Sequence, residues 1–263
     1  MRKVIVRGIA GNMGQQAAQT VIDTDGFELK AGLDKNKIDG YISDMPDIQD
    51  GPEIKIESEL EKVLTEKEEL EIMIDFTTAK GLLEAGESAV KHGLDLIIGT
   101  TGLNENDRKK LAKLSEEHNQ NILLAPNFSL GAVLLMELAE TASEFFPRVE
   151  IIEGHHEGKD DAPSGTSIAT AEKLKNCQQL SGEEDIEFTV EGVRGGEVEN
   201  VKIHSLRLPG LMAEQEVILG GESQTLSLQH RAIDRAAFRP GIRLALNRID
   251  DLSGFVYGLE NLL

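Results

Sequence analysis

Residues 153–175 read E-G-H-H-E-G-K-D-D-A-P-S-G-T-S-I-A-T-A-E-K-L-K and gather more groups capable of chemistry than any other stretch of the chain. His155 and His156 titrate near neutral pH, so either can give up a proton at modest cost. Being adjacent, they leave an extended backbone in different directions, which lets one touch a ligand and the other transfer a proton. Lys159 adds a full positive charge. Ala162-Pro163-Ser164-Gly165-Thr166 then leads into a run where Ile168, Ala171 and Leu174 recur at helical spacing, so hydroxyls and backbone N–H groups collect at a helix N-terminus. Together these groups suit a carboxylate or phosphate. On residue types alone two other uses stay open, a metal site and an idle polar loop. The histidine pair lacks the i, i+4 or C-x-x-C spacing that puts ligands on one side of a metal, and Cys177 is the single cysteine. No metal is expected.

The elements that must position this stretch can be read in order. Val4-Ile5-Val6, then Gly8-Ile9-Ala10-Gly11-Asn12-Met13-Gly14, then a helical pattern over residues 15–22, give strand, glycine turn and helix. Glycines there let the backbone approach a pyrophosphate, and the helix N-terminus faces its charge. Ile9 occupies the place of the first glycine of an ordinary G-x-G-x-x-G, so the turn alone is a weak signal. A second strand over residues 27–33 ends at Asp34, 20 residues after Gly14, where an acid binds the ribose hydroxyls of NAD. Lys35 and Lys37 instead suit the 2′-phosphate of NADP, and a solvated turn is the plain alternative. Further strands end at Asp75-Phe76-Thr77, at Gly99-Thr100-Thr101-Gly102 and at Ala125-Pro126-Asn127-Phe128, with helical patterns over residues 79–92 and 106–117 between them. Such polar strand ends share one carboxyl edge of a parallel sheet, where ligands bind. Residues 36–58 read as a surface excursion carrying little chemistry.

The second half begins with an apolar helix pattern over residues 130–146. Strand-like runs follow at residues 149–153, 185–193, 201–208, 215–219 and 224–230, with no helix between the last four. They predict a largely antiparallel sheet whose open face is covered by another subunit. Residues 236–246 predict a hinge and a helix returning to the first domain. The fold class expected is therefore α/β: a Rossmann-like nucleotide-binding domain over residues 1–129, completed by 240–263, and an α+β substrate and oligomerisation domain with an open mixed sheet over 130–239.

Forty-seven acidic and 27 basic residues give a formal net charge of −20, which disfavours nucleic acid and anionic membrane surfaces as partners. No apolar run reaches membrane-spanning length and the start of the chain lacks a signal-peptide pattern, so a cytoplasmic location is expected.

The H-H-x-x-K-x-D-A-P-S-G-T run from His155, G-x-x-G-x-M-G from Gly8, D-F-T at Asp75, G-T-T-G at Gly99 and N-F-S at Asn127 together resemble the 4-hydroxy-tetrahydrodipicolinate reductases, formerly called dihydrodipicolinate reductases. The likeness covers nearly the whole chain. It implies reduction, by NADH or NADPH, of a cyclic unsaturated imine carrying two carboxylates, on the route to diaminopimelate and lysine, by a homotetramer joined through the second domain's sheet. It also implies that Gly8, Ile9, Ala10, Gly11, Asn12 and Met13 cradle the pyrophosphate and Asp34 and Lys35 meet the adenosine ribose. Gly99, Thr100, Thr101, Ala125, Pro126, Asn127 and Phe128 would serve the nicotinamide side. His155 would be the catalytic acid with Lys159 its partner, while His156, Ser164, Gly165, Thr166 and Arg235 would hold substrate carboxylate. Two residues depart from the family pattern: Arg7, a cation just before the glycine turn, and Gly154, where a larger apolar residue is usual. Other readings are a different nicotinamide-dependent dehydrogenase of amino or hydroxy acids, and a non-catalytic NAD(H) sensor.

Overall fold

The computed structural model describes residues 1–36, 40–67, 69–175, 187 and 189–263. Lys37, Cys177 and part of the strand expected over residues 185–193 lie outside them. The chain divides into two compact units, Met1–Leu130 with Arg235–Leu263, and Gly131–Asp234.

In the first unit the apolar runs become strands because each is short, β-branched and closed by glycine or polar residues. The strands are β1 (Arg2–Arg7), β2 (Phe27–Leu33), β3 (Ile72–Asp75), β4 (Asp95–Ile98), β5 (Ile122–Leu124) and β11 (Phe255–Tyr257). They form one parallel sheet in the order β11-β5-β4-β3-β1-β2. The chain reverses its direction of travel across the sheet after β2, so the carboxyl ends of β1 and β3 flank a topological switch point, the position at which such sheets bind ligands. The helices α1 (Asn12–Ile22), α2 (Leu60–Glu66), α3 (Ala79–Lys91) and α4 (Glu105–His118) connect them. Ile5, Met73, Leu82, Leu96, Ile98 and Leu111 form a core beneath α3 and α4. Helix α7 (Arg239–Arg248) packs on α1, with Arg239 Nε donating to Gln16 Oε1 at 2.7 Å.

The described part of the excursion, residues 40–58, is more than a surface loop. Ile42 and Ile56 are wholly buried, and short bridges tie Leu33 to Glu57 and Tyr41 to Lys55. Its spaced single apolar residues have no regular period, which is why its packing was not visible in the sequence.

The second unit holds α5 (Leu130–Ser143, its first residue belonging to the first unit), β6 (Arg148–His155), α6 (Gly165–Leu174), β7 (Gly196–Val198), β8 (Val201–Arg207), β9 (Ala213–Gly221) and β10 (Gln224–Ala232). The sheet runs β10-β9-β6-β8-β7. It is mixed: β6 and β8 are parallel, and the other pairs antiparallel. Leu135 and Ala139 of α5 and Ala171 and Leu174 of α6 meet Val149, Ile151, Val201, Ile203, Val217 and Leu219 on one face. The strand expected over 185–193 is not found in its described part, where 189–194 are bends and turns and Val190 and Val193 are exposed. Glu191 and Gly192 among these residues are of types that strands disfavour.

Candidate active site

The first unit supplies a cleft of about 840 Å³ at the carboxyl ends of β1, β2 and β3. Gly8, Ala10, Gly11, Asp34 and Lys35 line it. The turn that enters α1 is compact for a reason carried by its glycines. Gly8 has φ +75°, and a Cβ on Gly14 would lie 1.9 Å from the Gly8 carbonyl oxygen, so helix and turn touch only because Gly14 has no side chain. Gly11 is the N-cap of α1 and lacks a capping side chain. Ile9, standing where a glycine is usual, turns its wholly buried side chain inward against Gly32. Asn12 and Met13 open α1.

Asp34 is fixed by the backbone: its Oδ2 accepts from Ala10 N at 3.1 Å and its Oδ1 from Asn36 N at 2.9 Å. The carboxylate therefore links the end of β2 to the glycine turn. Lys35 is exposed, and Glu59, Glu61 and Glu84 also line the cleft.

Arg7 also lines the cleft, but not as a free cation. Its guanidinium is buried, pairs with Asp75 and donates to the Gly81 carbonyl at 3.3 Å. Asp75 is wholly buried, and its Oδ1 also accepts from Thr77 N at 2.9 Å, Thr77 Oγ1 at 2.7 Å and Thr100 Oγ1 at 2.7 Å. One carboxylate thus joins the ends of β1, β3 and β4 below the cleft. Gly99 follows directly, and a Cβ on it would stand 2.0 Å from Phe76 Cε1. Phe76 in turn packs tilted on the buried Phe128, ring centroids 5.5 Å apart. Gly99, Thr100, Thr101, Ala125, Pro126, Asn127 and Phe128 all lie just past β4 and β5, outside the lining of the 840 Å³ cleft. Thr101 and Pro126 are exposed, while Thr100, Ala125 and Phe128 are buried.

The second unit supplies the histidines. His155 ends β6 with a side chain 16% exposed, and His156 beyond it is exposed. Alternation along β6 sends Val149, Ile151, Glu153 and His155 to one face. Glu153 is thereby wholly buried, its Oε2 2.5 Å from His155 Nδ1. Arg207, opposite His155 in the parallel β6–β8 ladder, brings Nη1 to 3.0 Å from Glu153 Oε2 and Nη2 to 2.9 Å from Oε1. Burial alone would raise the Glu153 carboxyl, and hydrogen bonds from Arg207, Ser205 and His155 outweigh it, holding it below its ordinary value. Burial holds the His155 imidazole below its ordinary value; Glu153 pulls it up, while Lys159 and Arg207 push it down.

Arg207 Nη2 also donates to the Asp161 carbonyl at 2.6 Å, tying the loop after β6 to β8. In that loop Lys159 Nζ pairs with Asp161 Oδ1 at 2.6 Å. Ser164 is the N-cap of α6: its Oγ accepts from Ser167 N at 3.2 Å, and the chain of bonds continues through Ser167 Oγ to Gln215 and Thr170. The hydroxyl of Ser164 is committed to this buried network. Gly165 and Thr166 are the first two residues of α6, and a Cβ on Gly165 would meet nothing within 4 Å. The positive end of the helix dipole opens there.

A family model described as dihydrodipicolinate reductase, N-terminus, matches residues 2–128, and one described as dihydrodipicolinate reductase, C-terminus, matches residues 131–263. The chain belongs to the dihydrodipicolinate reductase family. A relative from Syntrophomonas wolfei, named 4-hydroxy-tetrahydrodipicolinate reductase, is 42% identical over 99% of this chain and 98% of its own length. A solved dipicolinate-bound dihydrodipicolinate reductase from Paenisporosarcina sp. TG-14 matches with a TM-score of 0.89 and 35% identity over the whole of both chains. An amine dehydrogenase from Mycobacterium smegmatis shares the fold alone, with a TM-score of 0.67 and 12% identity over 97% of this chain and 94% of its own.

Within this family member the structure adds Arg207 to the residues singled out by sequence, gives Glu153 and Asp161 their contacts, and joins Arg7 to Asp75. Glu153 left a trace in the sequence, an acid in phase with Val149 and Ile151. Arg207 left none, because its place depends on a parallel pairing across a long stretch of chain. Arg235 is exposed at the start of a short 3-10 helix and belongs to the first unit, whereas His155, His156, Lys159 and Ser164–Thr166 belong to the second.

Proposed function

We propose that this chain catalyses the NAD(P)H-dependent reduction of 4-hydroxy-tetrahydrodipicolinate to tetrahydrodipicolinate, in diaminopimelate and lysine biosynthesis. The observation that carries the reading is the grouping in the second unit: a histidine held by a buried carboxylate, a lysine in the next turn of chain and an open helix N-terminus. That is a proton source beside a seat for carboxylates.

The first unit fits a dinucleotide. A Cβ would fill the contact between Gly14 and Gly8, and the fixed carboxylate of Asp34 stands where ribose hydroxyls are bound. Gly8, Ile9, Ala10, Gly11, Asn12 and Met13 would hold the pyrophosphate through their backbone, and Asp34 and Lys35 the adenosine ribose. Gly99, Thr100, Thr101, Ala125, Pro126, Asn127 and Phe128 would line the nicotinamide end. When bound, the reduced nicotinamide supplies a hydride.

The product has lost the hydroxyl as water and gained hydrogen, so one hydride and one proton enter as water leaves. His155 delivers the proton with Lys159 as its partner. His156, Lys159, Gly165, Thr166 and Arg235 hold the carboxylates, and Ser164 keeps the α6 turn in shape. The enzyme acts in the cytoplasm as a homotetramer; half-exposed Ile152 and Ile218, with Leu206, on the sheet face away from α5 and α6 support association through this sheet.

The test is oxidation of NADH and of NADPH by the purified protein, with substrate made by condensing pyruvate with aspartate semialdehyde. Both cofactors left unoxidised would refute the activity. With activity present, Lys159→Ala raises KM and lowers kcat if the lysine acts in both states; unchanged kinetics would remove its role.

A further inference from the structure

Among the described residues, Glu153 is a wholly buried acid that the reaction scheme above leaves without a task. A buried carboxylate is costly unless charge and hydrogen bonds compensate it, and here they come from β8 and from β6 itself. Arg207 of β8 faces both oxygens, and His155, two residues along β6, faces Oε2. On the other flank, Ala213 and Gln215 of β9 are the register partners of His155 and Glu153, and neither carries charge. Glu214, between them, sits on the opposite face and pairs with Arg231. Among the described residues Lys159, paired with Asp161 in the following loop, is a further charge that acts on the imidazole.

An ionised carboxylate can only accept hydrogen bonds. The 2.5 Å contact therefore requires the hydrogen on His155 Nδ1. In the neutral ring, Nε2 is then the basic nitrogen that takes up the exchangeable proton. We propose that Glu153 is the positioning residue for His155, fixing its ring and tautomer so that Nε2 is the nitrogen that gives its proton to the substrate. Arg207 holds Glu153 ionised and in place, and by bonding the Asp161 carbonyl it ties the Lys159 loop to the same carboxylate. Removing the charge of Glu153 lowers the proton affinity of His155, so the neutral ring, which has no proton on Nε2 to give, prevails at a lower pH.

The inference rests on His155 being the proton donor, and the experiment separates the two. Nitrogen-15 NMR of the imidazoles in the unaltered protein, with His155→Gln used to assign the signal, reads the tautomer without any turnover. A neutral His155 hydrogenated at Nδ1 is the expected result; hydrogenation at Nε2 overturns the proposal. In Glu153→Gln, the midpoint of the His155 titration falls by about one pH unit. The basic limb of kcat/KM moves down with it, and kcat drops by about tenfold or more, with the ~10²–10⁴ that a general acid contributes as the ceiling. KM stays within about twofold, because Glu153 does not touch substrate. An unmoved titration and an unmoved limb would refute positioning even if kcat fell. Full activity in His155→Gln would instead refute His155 as donor, whatever the tautomer of the ring.

Discussion

Replacing Arg7 by Met leaves the Asp75 carboxylate in a site with no exposure to solvent. The hydroxyls of Thr77 and Thr100 and the Thr77 N–H still donate to it, but the compensating charge is gone. Removing one partner of a buried ion pair costs about 3–5 kcal/mol, and the three surviving donors place this case near the lower end. Asp75→Asn strands the Arg7 guanidinium, whose side chain is 10% exposed, at a comparable cost. Removing both charges together restores most of the loss, because burying a neutral pair is far cheaper than burying one unpaired charge, so the double-mutant cycle shows a coupling of at least about 2 kcal/mol. The two compact units have separate cores, so a single global unfolding curve is an unsuitable readout. Amide hydrogen exchange of β1 and β3 reports the local opening free energy where the pair sits. Single variants that each change it by less than about 1 kcal/mol, or a double variant whose loss is the sum of the two, would refute the claim that the pair holds the carboxyl ends of these strands together.

Three further outcomes follow from the site. Asp34→Ser removes a negative charge fixed at the end of β2, and steady-state kinetics with both cofactors should show the KM for NADPH falling relative to that for NADH by about tenfold, the worth of one like-charge contact of ~1.4 kcal/mol; an unchanged ratio would place the 2′-phosphate elsewhere. Gly14→Ala forces a Cβ to 1.9 Å from the Gly8 oxygen, so the α1 turn must shift, at a cost of about 1–3 kcal/mol in stability and with loss of dinucleotide binding measured by calorimetry. His155 is held below its ordinary value of 6.5, so between its lowered value and 6.5 the unfolded chain binds more protons than the folded one, and stability falls as pH drops through that window. His230, also lowered by burial, adds to the same loss. Glu150 and Glu153 are held below 4.5, so their contribution is present above 4.5 and lost as pH falls further. Amide hydrogen exchange of β6 against pH, which reads local opening in the second unit, should show a flatter decline below 6.5 in His155→Gln.

Much of the fold was legible because its signals are local. Apolar runs closed by glycine or hydroxyl residues marked the strands of the first sheet, and Pro163-Ser164-Gly165 marked the entry to α6, where Ser164 is the N-cap. Where the signal is not local the reading stopped short. Residues 40–58 pack through single apolar side chains such as Ile42 and Ile56, which have no period to read. The second sheet looked largely antiparallel because no helix separates its later strands, yet β6 lies parallel to β8. Strand direction depends on which strands become neighbours, and the intervening sequence does not state it.

By itself, then, the sequence determined the glycine turn, the acid at Asp34, the histidine pair and the helix entry at Ser164, because each is built from residues close together in the chain. Only the tertiary structure decided how the charges are shared. Arg7 is joined to Asp75 across 68 residues, and Arg207 to Glu153 across 54. Both pairings arise because parallel strands bring side chains of distant segments into register, and burial there allows a charge to remain only where an opposite one meets it.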